Sequence, residues 1–332
     1  MNSEFDVIDR YFTRPRRNAL LGPGDDAALI ACKPGMDWAI SVDTLVAGRH
    51  FFPDVDPATL GHKVLAVNLS DMAAMGATPC WATLSLTLTK TLAQDDIWLK
   101  AFSSGFFALA DQYQVELIGG DTTGGPLNIS VQIIGEVERG KALRRSGAQP
   151  GDDIWVSGHL GDAALALQSL QQHVTLTAQE AAPCLAALHT PMPRVALGKA
   201  LVNMAHSAID ISDGLLADLG HILDRSGVAA TIDFDHIPRS PALKNKLQPE
   251  NTVTNTTCQL AIDCLLAGGD DYELCFTVPE SKRDAVIQLA QESGILLSRI
   301  GKIIPGKGLT VLGTDSNPLI FKNKGYDHFS AR

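Results

Sequence analysis

Five short segments place aspartate at the end of an apolar run or inside a turn of small residues. They are Gly22-Pro23-Gly24-Asp25-Asp26, Ser41-Val42-Asp43-Thr44, Asn68-Leu69-Ser70-Asp71, Gly119-Gly120-Asp121-Thr122-Thr123 and Asp210-Ile211-Ser212-Asp213-Gly214. Aspartate is disfavoured inside strands, so each is expected at a strand end or in the turn that follows. Open α/β sheets hold ligands at such positions, and neighbouring glycines let backbone and phosphate approach. One aspartate of this kind is ordinarily a turn former or a helix N-cap, and Asp213-Gly214-Leu215-Leu216 could simply open a helix. Asp71 differs, because it falls in an Ala- and Met-rich helical run, where a carboxylate is costly unless paired or metal-bound. Carboxylates gathered in one cleft repel one another. A hard divalent cation relieves that repulsion, and a donor set made of oxygen alone selects Mg²⁺ or Ca²⁺ over zinc. Mg²⁺ takes one or two carboxylates and keeps waters or substrate phosphates, so several aspartates suggest several ions bridging a polyphosphate.

The elements that must position these residues alternate between strand-like and helix-like patterns, which argues for an α/β class. Residues 38–43 read as a short buried strand, 57–77 as a helix, 81–88 as a strand and 97–113 as a second helix, with strands at 115–118 and 129–137. The polar, Gly- and Pro-containing stretch 144–153 is the expected boundary between a domain of residues 1–143 and one of residues 144–332. Beyond it, strands are expected at 154–157, 208–211, 229–234 and 272–278, and helices at 161–171, 215–226 and 280–293.

With 332 residues, 45% of them apolar, the chain can bury more than one core. A formal net charge of −10 argues against nucleic acid or an anionic membrane as the main partner and suits an enzyme that recruits cations. No apolar run is long enough to span a bilayer, and the N-terminus lacks a basic stretch followed by an apolar one. The six cysteines form no C-x-x-C pair, so a reducing, cytoplasmic compartment is expected. Neither a G-x-x-x-x-G-K-[ST] loop nor the H-R-D and D-F-G set of protein kinases is present. If phosphate is bound, metal must carry more of its charge.

Taken together, G-P-G-D-D-A-A, S-V-D-T-L-V-A-G-R-H-F, K-V-L-A-V-N-L-S-D-M-A-A-M-G-A, L-I-G-G-D-T-T, R-R-S-G-A-Q-P-G-D, A-I-D-I-S-D-G-L, G-G-D-D-Y-E-L-C-F and the tail K-G-Y-D-H-F resemble the thiamine-monophosphate kinase family. That family shares a superfamily with aminoimidazole ribonucleotide synthetase and selenophosphate synthetase. The resemblance runs in consistent order from about Phe5 to Phe329.

It implies a two-domain α/β (α+β) fold, with an N-terminal sheet domain that dimerises and a C-terminal α/β domain closing over nucleotide and substrate. It implies transfer from ATP to thiamine monophosphate, with Mg²⁺ held by Asp26, Ser41, Val42, Asp43, Asp71, Asp121, Asp210 and Asp213. Val42 stands where the family often has Thr and could offer only its carbonyl. Asp71, Asp121 and Asp213 would be the catalytic aspartates. Gly120, Asp121, Arg145 and Ser212 would contact ATP, and His50, Asp270 and Tyr326 the substrate. Asp270 replaces the family's usual Glu and is one methylene shorter, and Thr123-Gly124-Gly125-Pro126 lacks the family's Arg. The acceptor is a phosphate whose second pKa is about 6, so it needs no general base at neutral pH, and direct in-line transfer without a phosphoenzyme is expected. The alternatives are another ATP-dependent synthetase of the superfamily, or a non-catalytic nucleotide- and Mg²⁺-binding scaffold. A selenophosphate synthetase would want a reactive Cys near the N-terminus, and none lies in the first 31 residues.

Overall fold

The structure, a computed structural model, describes residues 3–23, 26–247, 255–313, 315–319, 321 and 325. The chain divides into two compact units: Met1–Met72 with Ala77–Ala142, and Ala73–Gly76 with Leu143–Arg332.

In the first unit a short helix α1 (Glu4–Val7) runs into a π-helical turn, Ile8–Phe12. Strand β1 (Met36–Val46), helix α2 (Pro57–Ala74), strand β2 (Thr78–Leu88), helix α3 (Asp96–Tyr113) and strands β3 (Glu116–Gly124) and β4 (Asn128–Glu138) follow. The sheet order is β1-β4-β2-β3. Only the β2–β3 pair is parallel, which requires a crossover, and α3 supplies it. Asp95 caps α3 by accepting the amides of Ile97 and Trp98, both at 3.0 Å. Leu99, Phe102, Phe106, Leu109 and Ala110 form its buried stripe at helical spacing. Along β2, Ala82, Leu84, Leu86 and Leu88 are buried while Thr83, Ser85 and Thr87 are not. The period of two gives the sheet one helix-covered face and one outer face.

Residues 17–23 and 26–33 cross one end of the outer face as a strap. The Glu116 carboxylate accepts the amides of Arg17 (3.0 Å), Asn18 (2.7 Å) and Ala19 (3.0 Å). Lys33 pairs with the buried Glu136 at 2.5 Å. Ala19, Ala28 and Ile30 pack on Trp81, Ile118 and Ile134.

The second unit contains β5 (Asp153–Ser157), α4 (Asp162–Leu170), α5 (Ala178–His189), α6 (Val195–Leu201), β6 (Ser207–Ile211), α7 (Leu215–Ser226) and β7 (Ala229–Asp233). It continues with α8 (Pro241–Leu247), α9 (Asn255–Ala267), β8 (Glu273–Val278), α10 (Arg283–Ser293), β9 (Leu297–Ile304) and β10 (Gly308–Leu312). Its sheet runs β10-β7-β9-β5-β8-β6, antiparallel except for β7–β10. Residues of β5, β6, β7 and α4, α7 and α9 share one apolar core. Fully buried Asp153 is neutralised by Arg283 (2.8 and 3.0 Å) and Arg299 (3.3 Å), the pairing a buried carboxylate requires.

Two expectations about the aspartates change. Asp43 lies inside β1 and Asp121 inside β3, not after the ends of shorter strands. Both strands are sheet edges, where a charged side chain can reach solvent and a poor β-former is tolerated. Asp210 likewise lies within β6, in register with Leu274, and Asp213 falls in the turn beyond it.

Candidate metal and nucleotide site

In the first unit, alternation along β1 puts Ser41 and Asp43 on the helix-covered face, while Asn68 and Asp71 are neighbours one turn apart on α2. These two pairs meet. The Ser41 hydroxyl donates to Asp71 Oδ2 at 2.6 Å, and the Asp43 amide donates to Asn68 Oδ1 at 3.2 Å. The Asn68 amide group donates to the Val64 carbonyl at 2.9 Å, which fixes its orientation. Residues Val64 to Ser70 are buried without a break, and Asp71 is the half-buried exception. The Asp71 carboxylate is paired with the Ser41 hydroxyl, as a carboxylate in such an apolar run requires, and keeps partial solvent access. Val42 points to the other face and is 58% exposed, so only its backbone lies near Ser41 and Asp43.

Asp121 does not join this group. In register it faces Ser85 of β2, which faces Ser130 of β4, which faces Thr44 of β1. The four share the outer face, and the hydroxyls of Thr44 and Ser130 are 2.7 Å apart. Edge strands β1 and β3 are three spacings apart, about 14 Å. An ion with metal–oxygen distances of about 2.1 Å cannot span that gap. Within one chain, Asp121 therefore lies on the opposite face of this sheet from Asp43 and Asp71. Among the described residues no three His, Cys, Asp or Glu side chains are grouped to hold an ion. Just before Asp121, Gly120 has φ +149°, and a Cβ there would sit 1.8 Å from the Leu84 carbonyl oxygen, so only glycine fits.

Asp26 is exposed on the strap that crosses the outer face. His50 closes the turn after β1: its Nδ1 accepts the Val46 amide at 3.0 Å, so a neutral ring carries its proton on Nε2.

In the second unit three loops meet at one end of the sheet: residues 158–161 after β5, 212–214 after β6 and 268–272 before β8. The Asp270 amide donates to the Ser212 carbonyl (2.9 Å) and the Tyr272 amide to the Ile211 carbonyl (2.8 Å). Asp271 accepts the Gly161 amide at 2.9 and 3.0 Å. Asp270 and Tyr272 hold φ of +69° and +50°, a conformation side chains rarely adopt and one concentrated at functional sites. The Tyr272 hydroxyl donates to Asp270 Oδ1 at 2.9 Å. Burial, reinforced by Asp162, Glu273 and Asp270, pushes Asp271 well above the usual carboxylate range against the pull of the Gly161 amide. Burial also raises Asp162, which accepts the Ser240 hydroxyl at 2.5 Å. Glu273 is held by Ser157 (2.5 Å) and by both donor arms of Arg194 (2.6 and 2.5 Å).

Ser212 and Asp213 are half-buried, Asp210 is 4% exposed and Arg145 is exposed. The Ser226 hydroxyl accepts the amides of Gly147 and Ala148 at 3.1 and 3.2 Å, which anchors the segment that carries Arg145. Tyr326 lies outside the described residues. Asn68 and Asp218 were not singled out from the sequence. Asn68 stands within the N-L-S-D motif, but Asp218, on the first turn of α7, carried no signal.

The model of the AIR synthase related protein, N-terminal domain, matches residues 24–137, and that of the C-terminal domain matches residues 149–313. The chain is 47% identical to the thiamine-monophosphate kinase of Escherichia coli K12 over 332 residues, 98% of each chain. The crystal structure of thiamine-monophosphate kinase from Stenotrophomonas maltophilia K279a superposes with a TM-score of 0.81 at 49% identity, covering 89% of this chain and 92% of that one. AaThiL complexed with AMPPCP and TMP superposes with a TM-score of 0.76 at 30% identity, covering 90% and 89%. The chain belongs to the thiamine-monophosphate kinase family of AIR synthase related proteins.

Proposed function

We propose that the chain transfers the γ-phosphoryl group of ATP to the phosphate of thiamine monophosphate, giving ADP and thiamine diphosphate. The observation that carries this is near-full-length identity to a thiamine-monophosphate kinase, together with a solved relative that holds AMPPCP and TMP.

The donors available to metal are aspartate and hydroxyl oxygens, which suit Mg²⁺, and pairs such as Asp43 with Asp71 match its habit of taking one or two carboxylates. Asp26, Ser41, the Val42 carbonyl, Asp43, Asp71, Asp121, Asp210 and Asp213 would hold the ions. Bound Mg²⁺ would supply positive charge between two phosphates that otherwise repel. Gly120, Arg145 and Ser212 are assigned to ATP, and His50, Asp270 and Tyr326 to thiamine monophosphate. The dianionic acceptor needs no base, so these residues have to align it in line with the γ-phosphorus and keep water away.

The working enzyme is a cytoplasmic homodimer formed through the outer face of the first sheet. Trp38, Ile40 and Val42 stand there 40%, 55% and 58% exposed on one strand. Beside them the buried Trp81 Nε1 and Glu136 Oε1 have no hydrogen-bond partner among the described residues. A self-complementary contact would cover the three exposed side chains. It would also bring one copy's Asp121, which lies on that face, to the edge of the other copy's β1, so each site would combine Asp43 and Asp71 of one chain with Asp121 of its partner.

The test is a coupled ADP-release assay with Mg²⁺ and ATP, offering thiamine monophosphate, thiamine or aminoimidazole precursors as acceptor. Release with thiamine monophosphate alone supports the proposal. Release with a precursor would point to a synthetase, and binding of ATP without release to a scaffold.

A further inference from the structure

The loop between β6 and α7 turns its amides inward onto one atom. Asp218 Oδ2 accepts the amides of Ser212 (3.0 Å), Asp213 (3.0 Å) and Gly214 (3.1 Å). Three consecutive amides converging at the start of a helix form a concavity that commonly receives a phosphate or another anion. Here an internal carboxylate, 3% exposed, fills it. The loop is also held from the opposite side. Its Ser212 carbonyl accepts the Asp270 amide at 2.9 Å. Gly214 has φ +116°, and a Cβ there would lie 2.7 to 2.9 Å from the Ala267 backbone. With amides and carbonyl both engaged, the side chains of Ser212 and Asp213 are what the loop leaves half-exposed.

We propose that Asp218 is a positioning residue for the nucleotide half of the site. It occupies the amide nest that a phosphate would otherwise enter, and so fixes Ser212 and Asp213 to meet metal-bound ATP with their side chains. This rests on the proposed kinase reading and extends it to a residue that touches neither substrate. The clamp works through acceptance of three hydrogen bonds by one oxygen. An amide oxygen in the same place can do this, and a methyl group cannot.

The experiment compares Asp218→Ala and Asp218→Asn in the full-length enzyme, with separate kcat and KM values for ATP and for thiamine monophosphate. Wild-type turnover establishes the reaction independently, so failure of the clamp and failure of the kinase reading are distinguishable. Asp218→Ala should raise KM for ATP about 10- to 100-fold, the usual effect of removing a group that orients ligands, with KM for thiamine monophosphate within about threefold. Asp218→Asn should keep both KM values within about threefold of wild type. Sodium formate should lower the raised KM of Asp218→Ala, because the small anion fits the emptied nest, and sodium chloride at equal ionic strength should not. A normal KM for ATP in Asp218→Ala, equal rises for both substrates, or no response to formate would overturn the proposal. If the alanine variant does not fold, Asp218→Asn decides alone: a rise in KM for ATP of about tenfold or more would show that charge, not the clamp, is what matters.

Discussion

If Asp121 serves the partner's site, two inactive variants should restore one another. The perturbation is a pair of isosteric substitutions, Asp71→Asn and Asp121→Asn. Each removes a formal charge from a different face of the first sheet, and neither changes side-chain volume. Alone, each homodimer should lose on the order of 100-fold or more in kcat, the scale seen when a preorganised group stabilising transition-state charge is deleted. The dimer with one chain of each kind is informative. Its first site would combine the substituted Asp71 position with the substituted Asp121 position. Its second would combine the native Asp71 of one chain with the native Asp121 of the other. Purified by two different affinity tags after co-expression, this heterodimer should show about half the wild-type activity per dimer, because one of two equivalent sites is intact. The geometric basis is the register Asp121–Ser85–Ser130–Thr44, which puts Asp121 on the outer face, opposite Asp43 and Asp71. Activity of the heterodimer no higher than that of either parent would refute the shared site, since both substitutions would then fall in sites built from a single chain.

Glu180 gives a pH prediction. Although burial raises it, the Thr177 amide, Asn245 and Lys246 together hold its pKa down at about 2. A folded pKa below the unfolded one contributes stability above about pH 4.5 that is lost as the pH falls towards 2. Glu180→Gln should therefore cost about 2 kcal/mol in urea unfolding at pH 7, and the difference should shrink by pH 3. Gly120→Ala should destabilise by at least about 2 kcal/mol and lower kcat, measured by thermal melting and by turnover, because β3 must move away from the Leu84 carbonyl. His50→Ala should cost about 1 kcal/mol by orphaning the Val46 amide and should raise KM for thiamine monophosphate, and steady-state kinetics beside a melt separate the two effects.

The helices were more legible than the strand ends. The second helix, expected at 97–113, is Asp96–Tyr113, because its apolar stripe and capping aspartate are local signals. The strand expected at 115–118 continues to Gly124 through Gly-Gly-Asp-Thr-Thr. Poor β-formers extend there because β2 supplies the ladder, a tertiary effect that local propensity does not contain. The strand expected at 38–43 likewise extends to Met36–Val46. Helices α1, α5, α6, α8 and α9 and strands β9 and β10 were not anticipated. The acidic motifs themselves were plain in the sequence. Which face each aspartate takes was not, since that depends on the register of four strands and on the irregularity at Ala82 and Thr83. Asp218 was invisible for a related reason: its partners are backbone amides, which leave no trace in side-chain identity.

The most direct measurement of the central claim is phosphorus NMR of the enzyme with Mg²⁺, ATP and thiamine monophosphate. The account predicts that the thiamine monophosphate resonance is replaced, mole for mole with ADP formation, by the coupled pair of a thiamine diphosphate, without inorganic phosphate. Loss of ATP to inorganic phosphate while the thiamine monophosphate signal stays unchanged would contradict it.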